Sequence, residues 1–375
     1  MLYGKSQMKL NALLLTLIVA LICSCTFAET SVSENKVFKP GSILPDTDGV
    51  HINAHGGGML YYDNTYYWFG EHKIQGRAGN KAHVGVRCYS SKDLYNWKNE
   101  GIALPVVKDD KRQEIAQGCV LERPKVIYNA KTKKFIMWFH LEFKNCGYLT
   151  ARSGVATSES PAGPYTYLYS FRPNAGQWPI NVNDSDKKLP PTNLLGRDHI
   201  GGQMARDMTL FVDDDGTAYH FYASEDNNTM HVSQLTDDYL QPSEKYKRIF
   251  IGRYMEAPAV FKHKGKYYFI GSGCTGWAPN AARSAYADSI WGPWTELGNP
   301  CIGPNAEKTF NAQSTYVLPV AGKDGCFIFM ADSWRPQNAI DGRYVWLPVE
   351  FTKDDKFILR WSDQWDLTIF DKLNN

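Results

Sequence analysis

The stretch EAPAVFKHKGKYYFIGSG, residues 256–273, opens on a carboxylate, follows an apolar strand to the turn Lys264-Gly265, and returns along an aromatic strand. The same phrase occurs as GGGMLYYDNTYYWFG (56–70), ERPKVIYNAKTKKFIMWF (122–139), DMTLFVDDDGTAYHFYAS (207–224) and QSTYVLPVAGKDGCFIFMADS (313–333). Their head residues are Gly56, Glu122, Asp207, Glu256 and Gln313. Short strands bounded by Asp-Asn, Asp-Gly and Lys-Gly turns, with no helix-period segment between them, predict an all-β chain. Repetition of such units predicts a five-bladed β-propeller, one domain over residues 51–375, with an inserted loop around 175–203. Equivalent positions of a radial repeat point at one axis, so the three acidic heads are expected to meet there. The phrase SKDLYNW at 91–97 reads as an outer-blade turn.

The 375 residues are 43% apolar and 14% aromatic, enough for a packed core. Eleven Trp, 22 Tyr and 18 Phe suit either β-rich packing or a surface on which apolar sugar faces stack. Lys5 and Lys9 followed by the apolar run Leu13 to Cys23 read as an export signal over residues 1–28, cut either before Cys25, which would carry a lipid anchor, or after Ala28. A periplasmic or outer-membrane lipoprotein of a bacterium is the expected location, and residues 29–50 the expected N-terminal arm. Without the signal, 41 minus 2 basic residues balance 39 acidic ones. A neutral chain argues against nucleic-acid or anionic-membrane partners and for a neutral polymer. Six cysteines remain after Cys25, without zinc-type spacing; one or two disulfides are compatible with an oxidising compartment.

Cleavage of a glycosidic bond with inversion needs an acid on the leaving oxygen and a group that activates water across the ring. Glu256, set among the apolar residues Met255, Ala257 and Ala259, is the best acid, because such surroundings raise a carboxyl pKa. Asp207 stands ready to tune and orient it. The competing reading is that these acids cap strands or pair with Arg206 and Arg253.

The strings NAHGGGMLYYDNTYYWFGEHK, LERPKVIYN, RDMTLFVDDDG, EAPAVFKHKGKYYFIGSGCTGW and NAQSTYVLP resemble glycoside hydrolase family 43, and within it the exo-β-1,3-galactanase branch. The resemblance implies inversion, Glu256 as general acid and Asp207 as its modulator. It also exposes a departure: the family's usual base is an Asp at the head of the first blade, and here that position falls in His55-Gly56-Gly57-Gly58. In the galactanase branch the base-like role passes to Gln313, which would hold and polarise the water, by way of its imidic tautomer, with Glu122 supplying charge nearby. The resemblance further implies sugar contacts at Glu71, Tyr148, Asn228 and Thr275, while Trp277 and Trp334 suit either stacking on galactose or packing between blades.

Gly56 to Gly58 lacks the GK[ST] of a phosphate loop, and Asp213-Asp214-Asp215-Gly216 lacks the distal Glu of a calcium loop and reads as a hairpin turn. His140 and His231 belong to no compact ligand set, so no metal and no cofactor are expected. The expected activity is exo-release of galactose from β-1,3-galactan or arabinogalactan. The alternatives are another family 43 specificity (arabinofuranosidase, xylosidase or galactofuranosidase) and a carbohydrate-binding propeller without catalysis.

Overall fold

The computed structural model describes residues 35–188 and 193–373. The export signal and Cys25 lie outside these residues. Blade 1 contains β1 (His55–Tyr62), β2 (Thr65–His72), β3 (Gly85–Ser91) and β4 (Lys98–Pro105); blade 2 contains β5 (Val120–Asn129), β6 (Lys134–Glu142), β7 (Arg152–Ser158) and β8 (Thr166–Phe171). Blade 3 comprises β9 (Met208–Val212), β10 (Ala218–Ser224), β11 (Thr229–Leu235) and β12 (Pro242–Ile249), and blade 4 β13 (Met255–His263), β14 (Lys266–Gly273), β15 (Arg283–Ala287) and β16 (Thr295–Gly298). Blade 5 holds β17 (Cys301–Ile302), β18 (Gln313–Pro319), β19 (Phe327–Ser333), β20 (Arg343–Phe351) and β21 (Phe357–Arg360). Blades 1 to 4 are antiparallel meanders; in blade 5 the short β17 adds in parallel outside β21. This is the five-bladed propeller expected from the repeats.

The turn chemistry explains the hairpins. Asp63-Asn64 and Lys264-Gly265 both adopt left-handed φ at their two central residues, the twist that matches adjoining strands. Asp213 to Gly216 closes the β9–β10 hairpin, with the Gly216 N–H on the Asp213 carbonyl at 2.9 Å. At 91–97 the Asp93 carboxylate accepts the Tyr95 and Asn96 N–H groups at 2.8 Å, making the turn between β3 and β4.

Five apolar clusters fill the spaces between successive blades, which accounts for most of the aromatic content. Trp68, Trp97, Trp138, Trp346 and Trp365 are buried there. Among the described residues no strand is exchanged between the first and last blades, and the ring closes at a packed seam. Phe38, from the N-terminal arm, stacks on Trp365 at 4.2 Å and joins Trp68 and Trp97 of blade 1 to Trp346 of blade 5. Backbone bonds from Phe38 to Trp365 and from Gly41 to Tyr344 hold it, so this part of the arm is a clasp. Burying the Phe38 ring contributes about 2 kcal/mol to the seam. Cys88, Cys119, Cys146, Cys274 and Cys301 carry free thiols, so none of these five forms the anticipated disulfides.

Candidate active site

In four blades the innermost strand carries a bulge just after its head. Pairing shifts between His55 and Gly58 in β1, Glu122 and Lys125 in β5, Glu256 and Ala259 in β13, and Ser314 and Tyr316 in β18. A bulge re-aims the residue beside it, here toward the axis. The residues following three of these heads, Gly56, Arg123 and Ala257, have φ of 61°, 57° and 52°. Such a conformation costs Arg and Ala about 1–2 kcal/mol each. Each is held the same way, its N–H donated to a carboxylate of another blade: Gly56 to Asp332 at 3.1 Å, Arg123 to Glu71 at 3.1 Å, Ala257 to Asp207 at 3.0 Å.

The register corrects one expectation. The blade 1 counterpart of Glu122 and Glu256 is His55, opposite Glu71, and Gly56 is the left-handed residue after it. His55 is fully buried in the seam, stacked on Tyr344 at 5.3 Å, and burial lowers its pKa. The three glycines make room for neighbours. A Cβ on Gly56 would lie 2.3 Å from Glu71 Oε1, one on Gly57 1.6 Å from the Phe69 carbonyl oxygen, and one on Gly58 2.5 Å from Lys125 Cδ. Blade 1 therefore sends charge to the axis from β2, as Glu71 paired with Lys73 at 2.5 Å. Buried Lys125 crosses beneath, donating to the Gly56 carbonyl at 3.1 Å, and its burial depresses its pKa to about 7.

Above these groups opens a cavity of about 370 Å³. On one wall Glu256 Oε1 accepts the Asn227 amide at 2.8 Å. Burial first, and the Asp207 charge second, raise the Glu256 pKa to about 7, with Arg123 pulling the other way. Asp207 is fixed by Arg123 Nη2 at 2.8 Å and by the Ala257 N–H. In the same cavity Gln313 Oε1 accepts Arg123 Nη2 at 2.6 Å and Trp334 Nε1 at 2.9 Å, while its Nε2 donates to Ser272 Oγ at 2.9 Å. Arg and Trp can only donate, so the amide orientation is set. Glu122 accepts Tyr148 Oη at 2.9 Å and lies 3.2 Å from His140 Nδ1, whose Nε2 is 3.0 Å from Glu142. Burial opposes ionisation of Glu122, yet His140 and Lys73 outweigh it and hold its pKa near about 2; the two carboxylates raise His140 to about 9.

Glu71, Glu122, Tyr148, Asp207, Glu256, Trp277, Gln313 and Trp334 thus line one cavity. Two expected sugar contacts do not. Asn228 stands one residue past the lining side chain, Asn227, and accepts Thr229 Oγ1 at 3.0 Å. Thr275 borders a separate cavity and donates to the Ala278 carbonyl at 2.6 Å. The described residues of the 175–203 insertion contribute nothing to the lining. His140 reaches the lining; His231 is buried against Glu225 at 2.9 Å. Reading the sequence missed Arg123, the hub between Asp207 and Gln313, although it adjoins the head Glu122. It also missed Asn227 and Arg206.

Glu122, His140 and Asp207 each place a potential ligand atom within 4.8 Å of the others. Both His140 nitrogens face carboxylates and its pKa is raised, so it serves as an imidazolium donor without the lone pair a cation would need. Arg123 already neutralises Asp207. The charges are arranged as a chain, Glu122 to His140 to Glu142, beside the Arg123–Asp207 pair.

Solved structures share this fold. The β-1,3-galactosidase BT3683, solved with galactodeoxynojirimycin, is 50% identical, with a TM-score of 0.85 over 88% of this chain and 100% of that one. An exo-β-1,3-galactanase from Phanerochaete chrysosporium, solved with β-1,3-galactotriose, is 34% identical, with a TM-score of 0.74 over 88% of this chain and 68% of that one. A β-D-galactofuranosidase of Aspergillus niger is 28% identical over 145 residues, 34% of this chain and 42% of the relative, so the match spans about two fifths of that protein. The profile of Glycosyl hydrolases family 43 matches residues 55–357, and the chain belongs to that family.

Proposed function

We propose that this hydrolase releases galactose, with inversion, from the non-reducing ends of β-1,3-galactan chains such as the arabinogalactan backbone. The observation that carries the reading is the meeting in one cavity of Glu256, its pKa raised to about 7, with Gln313 and Glu122, in a chain 34–50% identical to solved enzymes that are β-1,3-galactosidases and exo-β-1,3-galactanases. Glu256 donates its proton to the leaving oxygen. Asn227 occupies Oε1, so the proton resides on Oε2. Burial and, after it, the Asp207 charge favour that proton, and Arg123 limits the shift.

Water attacks from the Gln313 and Glu122 wall. Both lone pairs of Gln313 Oε1 are engaged, so the amide offers the water its remaining Nε2 hydrogen and orients it. This arrangement disfavours the imidic tautomer, whose O–H would meet two donors. The proton passes to ionised Glu122. Glu122→Gln is expected to lower kcat about 10²–10⁴-fold and Gln313→Ala by a smaller factor. A near-wild-type Glu122→Gln together with an inactive Gln313→Ala would return the base role to the amide.

The substrate reading is tested by digesting β-1,3-galactan beside a panel of aryl galactosides, galactofuranosides, arabinofuranosides and xylosides. Galactose from the galactan is expected. The Aspergillus niger relative makes galactofuranoside the main competitor, and turnover of that sugar alone would replace the galactan reading. Binding of galactan without turnover at any pH would make the chain a carbohydrate-binding propeller. The proposal includes export with a lipid on Cys25, tested by loss of radiolabelled palmitate in Cys25→Ser.

A further inference from the structure

The turn between β10 and β11 holds Glu225, Asp226 and Asn227 in succession at φ of 51°, 55° and 66°. Side-chain-bearing residues each lose about 1–2 kcal/mol in this region, so such a run persists only where its surroundings over-determine it. Here every residue of the turn has its own anchor. Buried Glu225 takes Arg248 Nε at 2.7 Å and Nη2 at 2.8 Å, and His231 Nε2 at 2.9 Å. Arg248 continues to Asp186 at 3.0 Å. Asp226 pairs with Arg197 at 2.8 Å and lies 3.8 Å from Arg206. Asn227 ends the turn with its amide on Glu256. Asp186 and Arg197 belong to the 175–203 insertion, whose described residues do not line the cavity.

We propose that the 175–203 insertion is a positioning clamp for the general acid: Arg197 through Asp226, and Asp186 through Arg248 and Glu225, hold the turn so that Asn227 caps Oε1 of Glu256. Arg197 and Asp186 are positioning residues, since neither reaches the cavity. The inference rests on the assignment of Glu256 as acid. The charged or titratable groups that bear on Glu256 are Asp207 before β9, Glu122 and Arg123 on β5, and Cys274 after β14, and Arg206 lines the same cavity and reaches Asn227 Oδ1 at 3.5 Å. None lies in the insertion, so a change made at Arg197 reaches Glu256 through the turn.

The test compares Arg197→Met and Arg197→Lys with Asn227→Ala. An amide N–H on a carboxylate favours its ionised form, so losing it raises the carboxyl pKa. Asn227→Ala is expected to move the basic limb of the kcat/KM profile to higher pH and to lower kcat about tenfold. Arg197→Met should show both changes at smaller size, about threefold in kcat, with KM within twofold of wild type; Arg197→Lys should restore the wild-type profile. A melting curve on each variant separates these effects from loss of fold. A wild-type pH profile and kcat in Arg197→Met, whatever its Tm, would overturn the clamp, as would an Asn227→Ala variant whose basic limb does not move. If wild-type protein releases no sugar from any substrate of the panel, the activity reading fails. The clamp is then decided by 13C NMR titration of the Glu256 carboxyl, assigned with Glu256→Gln. An upward shift in Arg197→Met supports it, and an unchanged titration overturns it.

Discussion

Blade 4 brings its charge to the axis on the innermost strand, as Glu256 at the head of β13, whereas blade 1 leaves that strand bare and supplies Glu71 from β2. Both strands have the same bulge, and both have a left-handed residue fastened by a carboxylate of another blade. They differ in what stands over the bulge. In blade 4 Glu256 has no ion pair among the described residues, and burial and the Asp207 charge raise its pKa to about 7. In blade 1 Glu71 is bound to Lys73, and its carboxylate fills the space a side chain on Gly56 would need. Burial raises both carboxyls, so the two differ in their partners: Glu256 accepts the Asn227 amide, while Glu71 is fixed by Lys73. Blade 1 thus supplies its carboxylate from β2 rather than from the head of β1.

The largest effect that probes this contrast is Glu256→Gln, expected to lower kcat about 10²–10⁴-fold on β-1,3-galactotriose. Gly56→Asp places a carboxylate on the bare strand of blade 1. Its Cβ would collide with Glu71 Oε1, so activity should fall at least about tenfold and stability by about 1–2 kcal/mol or more, read by kinetics and by denaturant melting. An active, equally stable Gly56→Asp would break the comparison. Arg123→Lys keeps the charge but loses the fork that joins Asp207 to Gln313, and roughly a tenfold fall in kcat is expected.

The pH profile sharpens the same contrast. Glu256 is raised to about 7; as the proposed acid, its active, protonated form prevails below that pH and kcat/KM is expected to fall as pH rises through about 7. Gln313→Ala should reduce kcat with this limb unmoved. The smallest effect on rate is expected for Phe38→Ala in the seam. It should cost about 3–5 kcal/mol in stability, with kcat unchanged at temperatures where the ring stays closed.

The blades were legible because each hairpin writes its own turn residues beside its strands, as Asp63-Asn64 and Lys264-Gly265 do. The convergence of Glu122, Asp207, Glu256 and Gln313 followed from repetition alone. Bulges were not legible, since an extra residue changes the register without changing composition; this moved the blade 1 head from Gly56 to His55. The left-handed run Glu225 to Asn227 likewise decided that Asn227, and not Asn228, meets the acid. Arg123 was hidden because an arginine beside a glutamate commonly marks a surface pair. Its three-way role depends on Asp207 and Gln313, 84 and 190 positions away. The Phe38 to Trp365 clasp spans nearly the whole chain and has no local signature.

The most direct test follows the first product of β-1,3-galactotriose hydrolysis by proton NMR. An acid at Glu256 facing a water held by Gln313 and Glu122 predicts that galactose appears first as the α anomer, one residue per event from the non-reducing end. Release of β-galactose first, or of disaccharide from an internal bond, would contradict it.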